Sequence, residues 1–225
     1  HELAAYVGVE HCVACANGTD ALQLALMALA IGPGDWVITT PFTYFATAEA
    51  IAAVGAHPLF VDIDSGTYNI SVDAVASAIE SFDNANGHIK AVMSVDLFGL
   101  PADNVALEAL CREHGLKLIE DGAQGFGGKI GNRIACEFGD VATTSFFPAK
   151  PLGCYGDGGA IFTRDADTAD LLRSLRVHGK GADKYDNVRV GMNSRLDTLQ
   201  AAILLEKLAV FESEVVQRNR VADKY

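Results

Sequence analysis

Thr143-Thr144-Ser145-Phe146-Phe147-Pro148-Ala149-Lys150 runs on into Pro151-Leu152-Gly153-Cys154-Tyr155-Gly156-Asp157-Gly158-Gly159. A β-prone apolar run ends on a lone lysine between two prolines, and a glycine-rich turn follows. Pro148 and Pro151 fix φ and remove amide donors, so the segment is not ordinary helix. The glycines allow a tight turn and a close approach of backbone to another group. A lysine held among aromatic and small residues loses its proton more readily than a solvated one, as an amine nucleophile requires. Most lysines are simply solvated, so the reading of Lys150 depends on the rest of the chain.

Outward from this stretch, apolar strand-like runs alternate with helical patterns. The tail of a helix leads into a strand over 11–16, and a helix apolar almost all round spans 21–30 and stops at Gly32-Pro33-Gly34. Further strands are predicted over 36–40, 58–61, 89–95, 116–120 and 141–147. Further helices are predicted over 43–54, 71–81 with Ser71 as its cap, 103–114 and 165–177. Residues 178–189 read as an exposed polar loop, and a long helix begins near Ser194. This alternation predicts an α/β fold whose mostly parallel sheet is flanked by helices, and the short apolar strands suit a sheet covered on both faces.

Half of the 225 residues are hydrophobic and a fifth are charged, a composition that supports a sizeable core. The formal net charge of −12 argues against nucleic acid or an anionic membrane as the main partner. The longest apolar run, around Ala21–Ile31, is too short to cross a bilayer. Five cysteines, an odd number, with no secretory marks suggest a reducing, cytoplasmic setting. Cys12-Val13-Ala14-Cys15 has redox spacing, but no second pair accompanies it, and buried apolar thiols are the simpler reading.

In open α/β sheets, ligands sit beyond the carboxyl ends of the strands. Asp121 lies at such an end, as do Asp62 and Asp96, so position alone does not single it out. Asn17-Gly18-Thr19-Asp20 opens the buried helix, where free amides and the helix dipole favour an anion while Asn17 or Thr19 caps. A nicotinamide site would need G-x-G-x-x-G between the first strand and helix, and Ala16-Asn17-Gly18-Thr19-Asp20 does not supply it.

Five motifs, taken together and in this order, resemble the DegT/DnrJ/EryC1/StrS sugar aminotransferases: Asn17-Gly18-Thr19-Asp20-Ala21-Leu22, Pro41-Phe42-Thr43-Tyr44, Glu120-Asp121-Gly122-Ala123-Gln124, the Lys150 stretch, and Asn193-Ser194-Arg195-Leu196-Asp197. The resemblance implies a type I PLP-dependent transferase fold, like that of aspartate aminotransferase, with pyridoxal 5′-phosphate (PLP) as cofactor. It implies that residues 1–192 form the large domain without its N-terminal part. Residues 193–225 would then be a long helix leading toward a small C-terminal domain.

By the same resemblance, Lys150 holds the cofactor covalently and then moves a proton between substrate and cofactor carbons. Asp121 keeps the pyridine nitrogen protonated, Gln124 meets the phenolic edge and Tyr44 stacks on the ring. Gly18, Thr19 and Ser145 take the phosphate. Asn193 reaches across from a neighbouring subunit of a homodimer, and Arg195 is a candidate for a substrate carboxylate or phosphate. Relatives that carry histidine in place of this lysine are dehydrases, so Lys150 implies transamination. The wording looks most like the branch that aminates a UDP-linked 3-keto sugar acid for surface polysaccharide, with glutamate as amino donor and a nucleotide-linked keto-sugar as acceptor. Gly122 and Gly125 stand where that branch commonly has alanine and serine. The alternative is a PLP-binding regulatory or catalytically incomplete protein of the same fold.

Overall fold

Side-chain caps mark where the helices begin. Asn17 Oδ1 accepts from the Asp20 amide at 2.8 Å, Asp165 Oδ2 from Thr168 at 2.8 Å, Asp103 Oδ1 from Ala106 at 3.1 Å and Ser71 Oγ from Ala74 at 3.3 Å. Each satisfies one amide that a first helical turn leaves without a partner. In the computed structural model, which describes every residue except Asn84, Asn86 and Lys184, these caps open α2 (Gly18–Ala28), α4 (Val72–Ser81), α5 (Asn104–His114) and α6 (Ala166–Leu175). The chain begins with α1 (Glu2–Val7), while α3 covers Ala46–Ala53 and α7 covers Thr198–Ala222.

Seven strands form the main sheet: β1 (His11–Cys15), β2 (Asp35–Thr39), β3 (His57–Phe60), β4 (His88–Val95), β5 (Lys117–Asp121), β8 (Val141–Ser145) and β9 (Gly159–Thr163). A two-residue hairpin, β6 (Lys129–Ile130) with β7 (Arg133–Ile134), stands apart. The sheet order is β1-β9-β8-β5-β4-β2-β3. The β3-β2-β4-β5-β8 portion is parallel, while β9 runs antiparallel to both β8 and β1. The mostly parallel sheet flanked by helices is thus present, with an antiparallel margin that the sequence reading did not include.

Side chains alternate across the sheet. Val37, Ala91, Met93, Ile119 and Val141 join α2, α3 and α6 in one apolar cluster. On the other face Ile38, Val92 and Leu118 join α4 and α5, while Ala142 and Phe162 join Phe146, Phe126, Leu204 and Phe211. Helix α7 therefore enters this second face through Leu204 and Phe211. Phe211 meets Tyr6 edge-on and Phe126 at a tilt, at centroid distances of 5.7 and 5.6 Å.

Two expectations need correction. The long helix starts at Thr198 rather than near Ser194, so Arg195 lies in the segment before it. The helix expected from Thr43 starts at Ala46, leaving Tyr44 in the loop after β2. The described residues of the loop expected over 178–189 form no helix or strand and are mostly exposed; an isolated bridge between Val177 and Asn193 closes the loop's base, and one between Lys180 and Asn187 lies inside it. Lys184 of that loop lies outside the described residues.

The two cysteines of Cys12-Val13-Ala14-Cys15 face opposite sides of the sheet, Cys15 in the first cluster and Cys12 against the second. Burial pushes both thiols up to about 12, so neither is a reactive thiolate at neutral pH.

Truncating Phe211 to alanine should cost about 3–5 kcal/mol, as for a fully buried aromatic. The same truncation at Leu199, 79% exposed on α7, should move stability by less than about 0.5 kcal/mol. Urea denaturation of both variants measures the difference.

Candidate active site

The parallel strands end along one edge, and the loops leaving β1, β2, β4, β5 and β8 enclose a cavity of about 710 Å³. Gly18, Thr19, Tyr44, Asp121, Gln124, Ser145 and Lys150 all line it. The sequence reading had proposed each of these, over a separation of more than a hundred residues.

Asp121 is the last residue of β5 and is 5% exposed. Burial raises its pKa; the Thr47 hydroxyl, the Ala123 amide and the charge of Lys150 act against that rise. Thr47 Oγ1 donates to Asp121 Oδ2 at 2.9 Å, and the Ala123 amide donates to Oδ1 at 3.2 Å. Thr43 and Thr47 hydroxyls lie 3.1 Å apart and carry this contact toward the cavity rim. Asp121 thus stays held as an acceptor at the cavity floor, where an anionic oxygen can meet a protonated ring nitrogen.

Three residues on, Gln124 accepts from the Phe98 amide through Oε1 at 3.1 Å. That leaves its Nε2 as a donor into the cavity. Phe98 itself sits at φ 57°, a conformation that an aromatic residue adopts only when its surroundings require it.

At the opposite wall, the Asn17 cap occupies the Asp20 amide, and the amides of Gly18 and Thr19 are among those a first turn leaves over. A Cβ placed on Gly18 would come within 2.7 Å of Ser145 Cβ and 3.2 Å of its Oγ. Glycine is what lets the Ser145 hydroxyl and these amides share one concave surface, a cradle suited to a phosphate.

Lys150 follows a turn closed by its own amide onto the Phe147 carbonyl at 2.8 Å, and its side chain is half-buried. Its Nζ lies 5.9 Å from the centroid of the Tyr44 ring. Tyr44 is 71% exposed, so it is a rim residue and not a core aromatic. Asn193 and Arg195 do not join the cavity; both are exposed, on the segment between α6 and α7. Thr47, Phe98 and Asp157 are site residues that the sequence reading missed, Thr47 by partnership with Asp121 and the other two as lining. Two threonines four apart at the start of a helix beside a strand end were the available signal for Thr47.

An amine, a buried carboxylate, an amide donor and an anion cradle therefore face one cavity. Comparison with known proteins gives this arrangement its context: residues 1–225 match the DegT/DnrJ/EryC1/StrS aminotransferase family model. The chain belongs to that family. It is 51% identical over 223 residues to a UDP-2-acetamido-2-deoxy-3-oxo-D-glucuronate aminotransferase of Pseudomonas aeruginosa, covering 99% of this chain and 60% of the relative. It is 46% identical to a pleiotropic regulatory protein of Geobacillus stearothermophilus, covering all of this chain and 58% of the relative. A crystal structure of a DegT DnrJ EryC1 StrS aminotransferase from Brucella abortus superposes with a TM-score of 0.97 at 55% identity, covering all of this chain and 60% of that one. The chain thus spans about 60% of the length of these relatives.

The cofactor of the DegT/DnrJ/EryC1/StrS family is PLP, and the residues present fit it. The Gly18–Ser145 cradle matches a phosphate, the buried Asp121 matches a pyridinium, and Gln124 Nε2 matches a phenolic oxygen.

Replacing Thr47 with valine removes the one side-chain donor to Asp121 among the described residues and leaves the volume nearly unchanged. A hydrogen bond to a charged group contributes about 1.5–3 kcal/mol. Folding stability should therefore fall by about 1.5–3 kcal/mol, which urea denaturation of Thr47→Val measures.

Proposed function

We propose that this chain is the cofactor-binding part of a PLP-dependent transaminase that moves an amino group from an amino acid, with glutamate the donor we favour, to a nucleotide-linked keto-sugar. Lys150 and Asp121 facing one cavity is the observation that carries the reading. The sugar acceptor is supported by the likeness to the Pseudomonas aeruginosa enzyme, whose substrate is a UDP-linked 3-oxo sugar acid. A role in surface polysaccharide, such as lipopolysaccharide O-antigen, is the setting we infer from the same likeness.

When bound, the cofactor supplies an electron sink for the charge left on a substrate carbon that has lost its proton. The chain's own residues do the rest. Lys150 Nζ would hold the cofactor and, as a free amine within the cavity, would be the base that takes a proton from one carbon and returns it to another. Asp121, fixed by Thr47 and Ala123, keeps the ring nitrogen charged. Gln124 Nε2 orients the phenolic edge, the Tyr44 ring covers one face, and Gly18, Thr19 and Ser145 anchor the phosphate so that the reacting carbon stays near Lys150. The net change is a keto acid from the donor and an amine on the sugar carbon.

We assign Asn193 to the active site of a neighbouring copy in a homodimer, because in its own chain it lies exposed and outside the cavity. Arg195, equally exposed, is the candidate for a substrate carboxylate or phosphate there. Residues 193–225 in this reading lead toward the small C-terminal domain. A cytoplasmic setting is supported by five cysteines that are all free, and no helix among the described residues is long and apolar enough to cross a membrane. Two readings other than turnover remain within the test: a regulator, which the Geobacillus stearothermophilus relative favours, and a binding-competent but incomplete part.

Absorbance spectra with PLP, before and after glutamate, test the proposal on wild type and Lys150→Ala. A visible band that requires Lys150 and shifts on adding glutamate is expected. A band indifferent to every amino donor would support a regulator or an incomplete part, and no band in folded protein would sink the cofactor reading. Mixing Lys150→Ala with Asn193→Ala chains should restore part of the glutamate response if sites are shared between copies.

A further inference from the structure

The sheet carries an acidic pair on the side opposite Asp121. Val95 is in register with Asp121, and Ser94 with Glu120. By strand alternation Ser94, Asp96 and Glu120 share the face covered by α5, while Asp121 points to the cavity face. Asp96 and Glu120 are both fully buried, with 0% exposure. Their carboxyls lie in hydrogen-bonding contact with each other.

The remaining bonds of the pair are unequal. Glu120 accepts from two amides, Cys136 to Oε1 at 2.8 Å and Phe138 to Oε2 at 3.0 Å. Asp96 Oδ1 accepts from the Ala102 amide at 3.0 Å and Asn104 Nδ2 at 3.3 Å. Asp96 Oδ2 is buried, and no donor among the described residues reaches it. A bare carboxylate oxygen in that position would be costly. As a hydroxyl it becomes a donor, and the neighbouring Glu120 carboxyl is the acceptor available to it.

We propose that Asp96 and Glu120 share one proton, carried on Asp96 Oδ2 and donated to the Glu120 carboxylate, and that this proton leaves Asp121 as the charged carboxylate facing the cofactor. Without it, three neighbouring carboxylates would crowd one end of the sheet, a like-charge arrangement that raises each pKa. Burial raises both carboxyls, Asp96 to about 6 and Glu120 well above the usual carboxylate range, so the pair holds a proton that two solvated carboxylates would release. The other ionisable groups acting on the pair are Asp121 and the Cys136 thiol, itself raised by burial and by these carboxylates. Glu137 in the same turn is paired with Arg133 and Arg164.

The pair also explains one of the two glycines that stand where that branch commonly has other small residues. A Cβ on Gly125 would lie 2.3 Å from Asp96 Cβ and 2.6 Å from its Oδ2, and one on Gly122 would lie 2.5 Å from Cys136 Sγ. A side chain at 125 would therefore collide with the acid, whereas one at 122 would collide with Cys136, its Cβ lying an ordinary 3.6 Å from Asp96 Oδ2.

The bearing on catalysis rests on the cofactor reading above; the shared proton does not, and its test uses the protein without cofactor. Infrared difference spectra between wild type and Asp96→Asn at pH 7 should show a carboxylic-acid C=O band in wild type that the variant lacks. A folded-state pKa raised above the unfolded value means stability is lost as pH rises from about 4 through the raised value. The wild-type unfolding midpoint should therefore fall roughly 3 °C more per pH unit than that of Asp96→Asn between pH 5 and 7. The amide that Asp96→Asn introduces keeps a donor for Glu120. Glu120→Gln instead sets an amide donor against the Cys136 or Phe138 N–H and should lower the midpoint further than Asp96→Asn does. Absence of the band, equal pH slopes, or Asp96→Asn as the more damaging change would overturn the assignment. Should Glu120→Gln fail to fold, the band and the slopes still decide.

Discussion

A carboxylate buried at the end of a strand imposes conditions on everything around it. Asp121 loses the hydration that would stabilise its charge, and the molecule compensates with a hydroxyl from α3, an amide from its own turn and the positive field of Lys150. Each compensating group comes from a different segment, so satisfying one side chain ties the β2–α3 loop, the β5 turn and the β8 loop together. The same contacts bring the amine, the amide donor and the phosphate cradle to one place. The grouping of these side chains thus follows from compensating a charge that the fold has taken out of water.

The sheet makes that placement possible. Parallel strands β4, β5 and β8 end on one level, and the antiparallel β9 lies beside β8 so that Gly159 pairs with Ser145. A Cβ on Gly159 would come within 2.4 Å of the Asn17 carbonyl oxygen. A strand bearing a side chain there would push the opening of α2 away from Ser145, and the cradle would widen. Glycine in this position acts on the site through distance alone.

The alternation of helix and strand, the caps of α2 and α4 and the seven cavity-lining residues proposed from the motifs were legible, because each leaves a local mark: a period, a capping side chain, or a motif of fixed spacing. What escaped notice was set by partners far away in sequence. Strand β9 begins at a glycine pair that reads locally as turn, and only its neighbours β1 and β8 make it a strand. Thr47 looks like any helical threonine until Asp121, 74 residues later, folds against it. Asp62, Asp96 and Asp121 were equivalent as strand-end acids in the sequence. The structure separates them: Asp62 is exposed, Asp96 faces α5, and Asp121 faces the cavity.

That separation argues for a division of labour across the sheet. A strand puts adjacent residues on opposite faces, so Glu120 and Asp121 sit one bond apart in the chain yet belong to different environments. One face holds Asp121 open to a cavity where a cation can balance it. The other seals Glu120 against Asp96, where no cation lies among the groups acting on the pair and a proton is the remaining source of balance. Two adjacent acids would ordinarily oppose each other's ionisation. Here the sheet itself sorts them, making one a proton acceptor in a closed pair and leaving the other free to serve the cavity.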